Sequence, residues 1–141
     1  ILVGPQSAGS DPGPICYGGG GTSVTVTDAN LFLNRLTLRT PLGGQITPQV
    51  EKVGPALNEL ASRSSVKDAT NMAAGIVRIA VAKMVASIRE ISVFRGHDPQ
   101  QCALIAFGVL VLCMQPRLRM SWASLRSSSH AIQGIFPRGG C

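Results

Sequence analysis

Residues 67–92 read KDATNMAAGIVRIAVAKMVASIREIS, and the spacing within this stretch decides the fold. Val77, Val81, Met84, Ile88 and Ile91 recur every three or four residues, the period of one face of an α-helix. Ala69, Ala73, Ala74, Ala80 and Ala82 allow close approach from other sides. A helix this long, with small residues off its main stripe, belongs at the centre of a domain. Gly96-His97-Asp98-Pro99 ends it with turn-forming residues. Cys102 to Phe107 is then a short, wholly apolar run, which fits a strand buried on both faces of a parallel sheet. A helix followed by a buried strand points to an α/β fold. The five large side chains of the stripe are expected to pack against Ala103 to Phe107, each burial contributing about 1.5–3 kcal/mol.

Working back toward the N-terminus, Thr47-Pro48 is expected to open a shorter helix that kinks or restarts at Pro55 and runs to about Arg63. Ser23 to Val26 alternates β-branched residues and predicts a short strand. Thr27 or Asp28 would then cap a helix over 29–36. Residues 1–21 carry Pro5, Pro12, Pro14 and the run Gly18 to Gly21, which forbid regular structure. The chain opens on Ile1-Leu2-Val3 without a methionine and reads like the middle of a larger protein.

The 141 residues are 45% hydrophobic and 14% charged, a globular composition with material for one core. The net charge of +6 is unevenly placed. All seven acidic residues lie between Asp11 and Asp98, and the segment beyond carries Arg117, Arg119, Arg126 and Arg138 with no acid. The basic residues are not interleaved with stacking aromatics, which argues against a nucleic-acid surface. Cys16, Cys102, Cys113 and Cys141 have neither metal-ligand nor redox spacing. Their scatter, with no signal-peptide pattern, fits a reduced, cytoplasmic chain. The apolar run from Cys102 to Met114 is too short to span a bilayer.

Three segments carry a family resemblance. Residues 3–18 read VGPQSAGSDPGPICYG, residues 25–30 read TVTDAN, and residues 92–99 read SVFRGHDP, followed by ALIAFG to Gly108. In this order they closely resemble signatures of the hydantoinase A / 5-oxoprolinase family, which includes ATP-dependent hydantoinases, 5-oxoprolinases and subunits of acetone-type carboxylases. The resemblance covers residues 1–108 and implies part of an actin-like, sugar-kinase-like ATPase domain. It further implies ATP-driven activation of an amide or carbonyl oxygen, often with a divalent metal, on a small cyclic amide, with a hydantoinase B-type partner subunit. The acidic and glycine-rich phosphate loops expected nearer the family's N-terminus are absent from this sequence, so the chain is expected to bind no cofactor tightly and to be inactive alone. A non-enzymatic interaction module and the product of a decayed gene are the competing readings. The chain departs from the family pattern at Gly19, where a basic residue is usual, at Phe94, where an acid is usual, and at Ser23-Val24, which replace an acid–proline pair.

Few residues could carry chemistry. Gly18, Gly20 and Gly21 could cradle a phosphate through backbone N–H groups, although four glycines without a following lysine and helix also make an ordinary turn. The resemblance places this loop, and Gly108, beside the family's nucleotide cleft. Asp28 suits metal binding or orientation of a nucleophilic water, and equally suits a helix cap. Cys16 reads as a nucleophile or as a small buried hydrophobe. His97 could donate to a ligand or bond its own turn, and helix-dipole complementarity accounts for Arg89 and Arg95.

After Gly108 the resemblance stops. The family continues with Gly-Ala-Gly-Pro, whereas this chain has Val109-Leu110-Val111-Leu112-Cys113-Met114. Codons GTG CTG GTC CTC TGC ATG encode these six residues. With one G restored before them, the same bases read Gly-Ala-Gly-Pro-Leu-His. Likewise, residues 121–130 (SWASLRSSSH) can be written in codons whose neighbouring frame reads Glu-Leu-Gly-Ile-Pro-Gln-Val-Leu-Val-Pro. Residues 109–141 are therefore expected to be a frameshifted tail.

Overall fold

The computed structural model describes residues 3–4, 6–36, 49–98, 105 and 114. Among these residues the architecture is helical. The order is a 3-10 turn over Ile15–Tyr17, helix α1 over Val26–Phe32, a second 3-10 turn over Val50–Lys52, helix α2 over Val53–Arg63 and helix α3 over Ala69–Phe94. Packing divides the chain into a unit over Ile1–Ile79 and a unit over Ala80–Gly140.

In the first unit α1 packs against α2 and against both 3-10 turns, which also touch each other. Ile15, Cys16, Ala29, Leu31, Val53, Leu57, Ala61, Met72, Ala73, Ile76 and Val77 form its buried core. Leu57, Met72, Val53 and Val77 are its largest fully buried hydrophobic side chains, with Ala29, Ala61 and Ala73 between them. The second unit buries Ala80, Val81, Val85 and Met114.

All three helices stop in the same way. Asn34, Ser65 and Gly96 follow α1, α2 and α3 with positive φ values of 54°, 53° and 73°. The next residue's N–H then reaches back to a carbonyl in the last turn: Arg35 to Asn30 at 2.9 Å, Val66 to Ala61 at 3.0 Å and His97 to Ser92 at 2.9 Å. Each is a Schellman closure, which satisfies carbonyls that the helix leaves open. The sequence expectation that Gly96-His97 ends the long helix is met by this geometry. Asp68 starts that helix, accepting the Asn71 N–H at 2.7 Å through its carboxylate.

Three expectations need correction. Ser23 to Val26 is not a strand: Thr25 is the N-cap of α1 and Val26 its first residue. Alternating β-branched residues lost here to a capping box, in which Thr25 and Asp28 bond each other's backbone N–H. Helix α2 begins at Val53, which leaves Pro55 in the first turn, where the ring breaks no intrahelical hydrogen bond. The central helix exists, but its stripe is not uniformly buried. Val77 and Val81 are buried, Met84 and Ile88 are half-buried, and Ile91 is 57% exposed.

The buried strand expected over Cys102 to Phe107 falls almost wholly outside the described residues. Ile105, which lies within it, is not in a strand and is 71% exposed. Helix α3 is also long and apolar enough to cross a membrane, but its Met72, Ala73, Ile76 and Val77 are buried by protein.

Candidate functional site

The chain gathers one dense polar arrangement, built from the first two sequence signatures. Asp28 sits in the third position of α1, and its side chain is fully buried. A buried carboxylate needs donors. Asp28 Oδ1 accepts the Cys16 N–H at 2.8 Å. Its Oδ2 accepts the Ile15 N–H at 3.2 Å, the Thr25 N–H at 2.9 Å and the Thr25 hydroxyl at 2.8 Å. Thr25 Oγ1 in turn accepts the Asp28 N–H at 3.3 Å. One side chain thus caps its own helix and clasps the loop that precedes it by a dozen residues.

That loop is shaped by close backbone contacts. A Cβ on Gly21 would overlap the carbonyl oxygen of Gly13. Gly18, with φ of 73°, closes the Ile15–Tyr17 turn by donating its N–H to the Ile15 carbonyl at 3.1 Å. A Cβ there would come within 2.6 Å of the Gln49 side-chain amide. Gly20 differs, being exposed with open space where a Cβ would stand. Gln49 closes the far side: its N–H donates to the Cys16 carbonyl at 2.8 Å.

Two amide oxygens in this region, Asn30 Oδ1 and Gln49 Oε1, are buried with no hydrogen-bond partner. Asn30 Nδ2 donates to the Val26 carbonyl at 2.9 Å.

The electrostatics oppose nucleophilic chemistry at Cys16. Burial, followed by the hydrogen bond and charge of Asp28, pushes its thiol up from 9.0 to about 12. The thiolate is the reactive form, so this cysteine is an inert thiol at neutral pH. Burial also raises the Tyr17 phenol, with the Cys16 and Asp28 charges adding to it. No lysine or arginine occurs in residues 1–30 to offset the acid or meet a phosphate.

The structure therefore brings Asp28 and the Gly18–Gly21 loop into one cluster, through Ile15 and Cys16. Gly108 lies outside the described residues. His97 lies in the α3-ending turn and is exposed. The sequence reading overlooked Thr25 and Gln49. Threonine three residues before an acid was a readable capping signal, whereas nothing local marks Gln49.

Among the described residues no three His, Cys, Asp or Glu side chains converge as a metal site. Asp28, the natural ligand by sequence, has both oxygens engaged by donors. The donor set of the described residues does not fit a divalent metal.

A sequence model of the hydantoinase/oxoprolinase type matches residues 1–110. The chain is 42% identical over 108 residues to the caprolactamase subunit alpha of Pseudomonas jessenii, covering 77% of this chain and 16% of that protein. It is 38% identical over 108 residues to the acetophenone carboxylase gamma subunit of Aromatoleum aromaticum, covering 77% of this chain and 15% of the relative. A 5-oxoprolinase of Dictyostelium discoideum is 33% identical over 122 residues, with 77% and 10% covered. The crystal structure of the ATP-dependent caprolactamase of Pseudomonas jessenii superposes with a TM-score of 0.74 at 39% identity, over 84% of this chain and 17% of that one. The chain thus spans about a sixth of the length of the caprolactamase subunit it matches.

Proposed function

Because the chain belongs to the hydantoinase/oxoprolinase family, we propose that it is a segment of an ATP-dependent hydrolase of cyclic amides, inactive by itself. The observation that carries this reading is the Asp28 clasp, assembled from two of the three sequence signatures. It anchors the chain on either side of the Gly18–Gly21 loop, at Ile15, Cys16 and Thr25. In the assembled enzyme that loop would present backbone N–H groups, at Gly20 above all, to the nucleotide cleft. Asp28 would act as a positioning residue, setting the loop without touching substrate.

Turnover needs more than this segment supplies. A triphosphate held by one short loop, without a nearby cation, binds weakly because the site must order as it forms. Relatives named as alpha and gamma subunits support a partner subunit of the hydantoinase B type. The scattered cysteines, without redox or metal spacing, support a reducing, cytoplasmic setting.

Calorimetry of the 141-residue chain with Mg-ATP tests the proposal. No binding tighter than the millimolar range is expected, and no phosphate release with 5-oxoproline, hydantoin or caprolactam. A dissociation constant in the low micromolar range would overturn it.

We further propose that residues 109–141 arise from a one-base frameshift, which supports the decayed-gene reading. The family match ends at residue 110, next to the point where codons compatible with Val109 to Met114 would, read one base over, restore the family's glycine-rich turn. Sequencing the gene decides this, since the encoding bases must contain that second frame.

A further inference from the structure

Gln49 closes the glycine loop with a side chain whose oxygen has no donor. Its backbone N–H is tied to the Cys16 carbonyl at 2.8 Å. Its whole carboxamide lies against Gly18: a Cβ there would stand 2.6 Å from Nε2, 2.8 Å from Cδ and 3.2 Å from Oε1. Oε1 is buried and has no hydrogen-bond partner, although a buried acceptor is costly to leave without a donor. Asn30 Oδ1 shares that condition, but its side chain is fully enclosed. Gln49 is only half-buried, and Gly18, Gly19 and Gly20 beside it are exposed. The last torsion of a glutamine is soft, and turning about it exchanges the positions of oxygen and nitrogen, which brings the oxygen within reach of a ligand. The loop supplies the opposite polarity. Among the described residues none accepts the N–H of Gly19, Gly20 or Gly21.

We infer that Gln49 is a specificity-determining residue whose Oε1 accepts the N–H of a small cyclic amide, while a glycine-loop N–H donates to the amide's carbonyl oxygen. The inference rests on the family reading above and names the residue that reads the substrate's N–H. Inside a small ring the amide is cis, so its N–H and C=O lie along one edge and meet an acceptor and a donor side by side. An open-chain trans amide points the two groups in opposite directions. A phosphate or carboxylate brings acceptors alone and leaves Oε1 without a donor, and no lysine or arginine in residues 1–30 meets its charge.

The test titrates the ¹⁵N-labelled 141-residue chain with 2-pyrrolidone, and separately with N-methyl-2-pyrrolidone, which keeps the ring and the carbonyl but lacks the N–H. Nucleotide is left out, so failure here is separate from failure of the ATP measurement above. 2-Pyrrolidone is expected to shift the Gly20 backbone and Gln49 side-chain amide signals with millimolar affinity, and the N-methyl compound to bind about fivefold more weakly. Gln49→Leu should bind both compounds equally weakly. Gln49→Glu, which keeps an acceptor oxygen, should restore the preference; a merely structural role for Gln49 would not move it. Absence of shifts at Gly20 and Gln49 with 2-pyrrolidone would overturn the inference, as would equal binding of the two compounds by the parent chain or a preference that survives in Gln49→Leu. If Gln49→Leu fails to fold, the parent's own preference between the two compounds, read at the Gln49 side-chain amide, decides.

Discussion

The Asp28 carboxylate accepts the amide proton of Cys16 at 2.8 Å, twelve residues back along the chain. This contact ties the first sequence signature to the second and fixes the state of both residues. The carboxylate is held by donors, and its charge helps to keep the adjacent thiol protonated.

Replacing Asp28 should therefore act on stability before anything else. Asp28→Ala strands the N–H groups of Ile15, Cys16 and Thr25 and the Thr25 hydroxyl in a buried site. A loss of about 3–5 kcal/mol is expected, measured by urea unfolding. Asp28→Asn keeps an acceptor oxygen but turns an N–H₂ toward the donors, and should cost about 2 kcal/mol. If both variants unfold like the parent, the clasp contributes nothing.

The raised Cys16 pKa sets the sign of an alkaline pH dependence. A group whose pKa is raised on folding stabilises the folded state fully below its ordinary value and loses that contribution as pH rises toward its folded value. The window here runs from 9.0 to about 12. Stability should fall through it by up to about 1.4 kcal/mol per pH unit from this group, with Tyr17 adding to the slope at its upper end. Cys16→Ala should flatten the slope. At pH 8 the native thiol should react with a disulfide reagent only as fast as the chain opens.

The glycine loop should separate into tolerant and intolerant positions. Gly21→Ala drives a methyl into the Gly13 carbonyl and should cost about 3 kcal/mol. Gly20→Ala meets open space, so only its positive φ opposes it, at about 1 kcal/mol. Thermal melts of the two variants distinguish packing from backbone freedom as the reason for the glycines.

Along α3 the cost of truncation should fall with position. Val77→Ala removes buried methyl groups and should lose about 2 kcal/mol, whereas Ile91→Ala should stay within about 0.5 kcal/mol. Equal losses would mean that the stripe is covered over its whole length.

Deleting residues 115–141 should leave the melting temperature unchanged or raise it. The proposed frameshift would leave this tail without a selected pattern that agrees with the fold. A clear drop would show that the segment belongs to the domain.

Much of this was written in the sequence. The periodicity from Val77 to Ile91 fixed α3, because apolar spacing is a local property and a 26-residue helix outvotes its neighbours. The turn at Gly96 was equally local. The signatures gave the family, and they marked the glycine loop and Asp28 as separate candidates. What the sequence left open was decided by contacts between distant residues. Thr25 is the third residue of a stretch that alternates like a strand, and only its pairing with Asp28 makes it a cap. Asp28 suited a metal and a cap equally well until its oxygens met Ile15 and Cys16. Gly21 is dictated by a carbonyl eight residues away, and no window of sequence contains that distance. Periodicity likewise marks which face of α3 is apolar but not how far along the helix that face is covered. Coverage depends on what else occupies the space, so Val77 is buried and Ile91 is not, although both obey the same spacing.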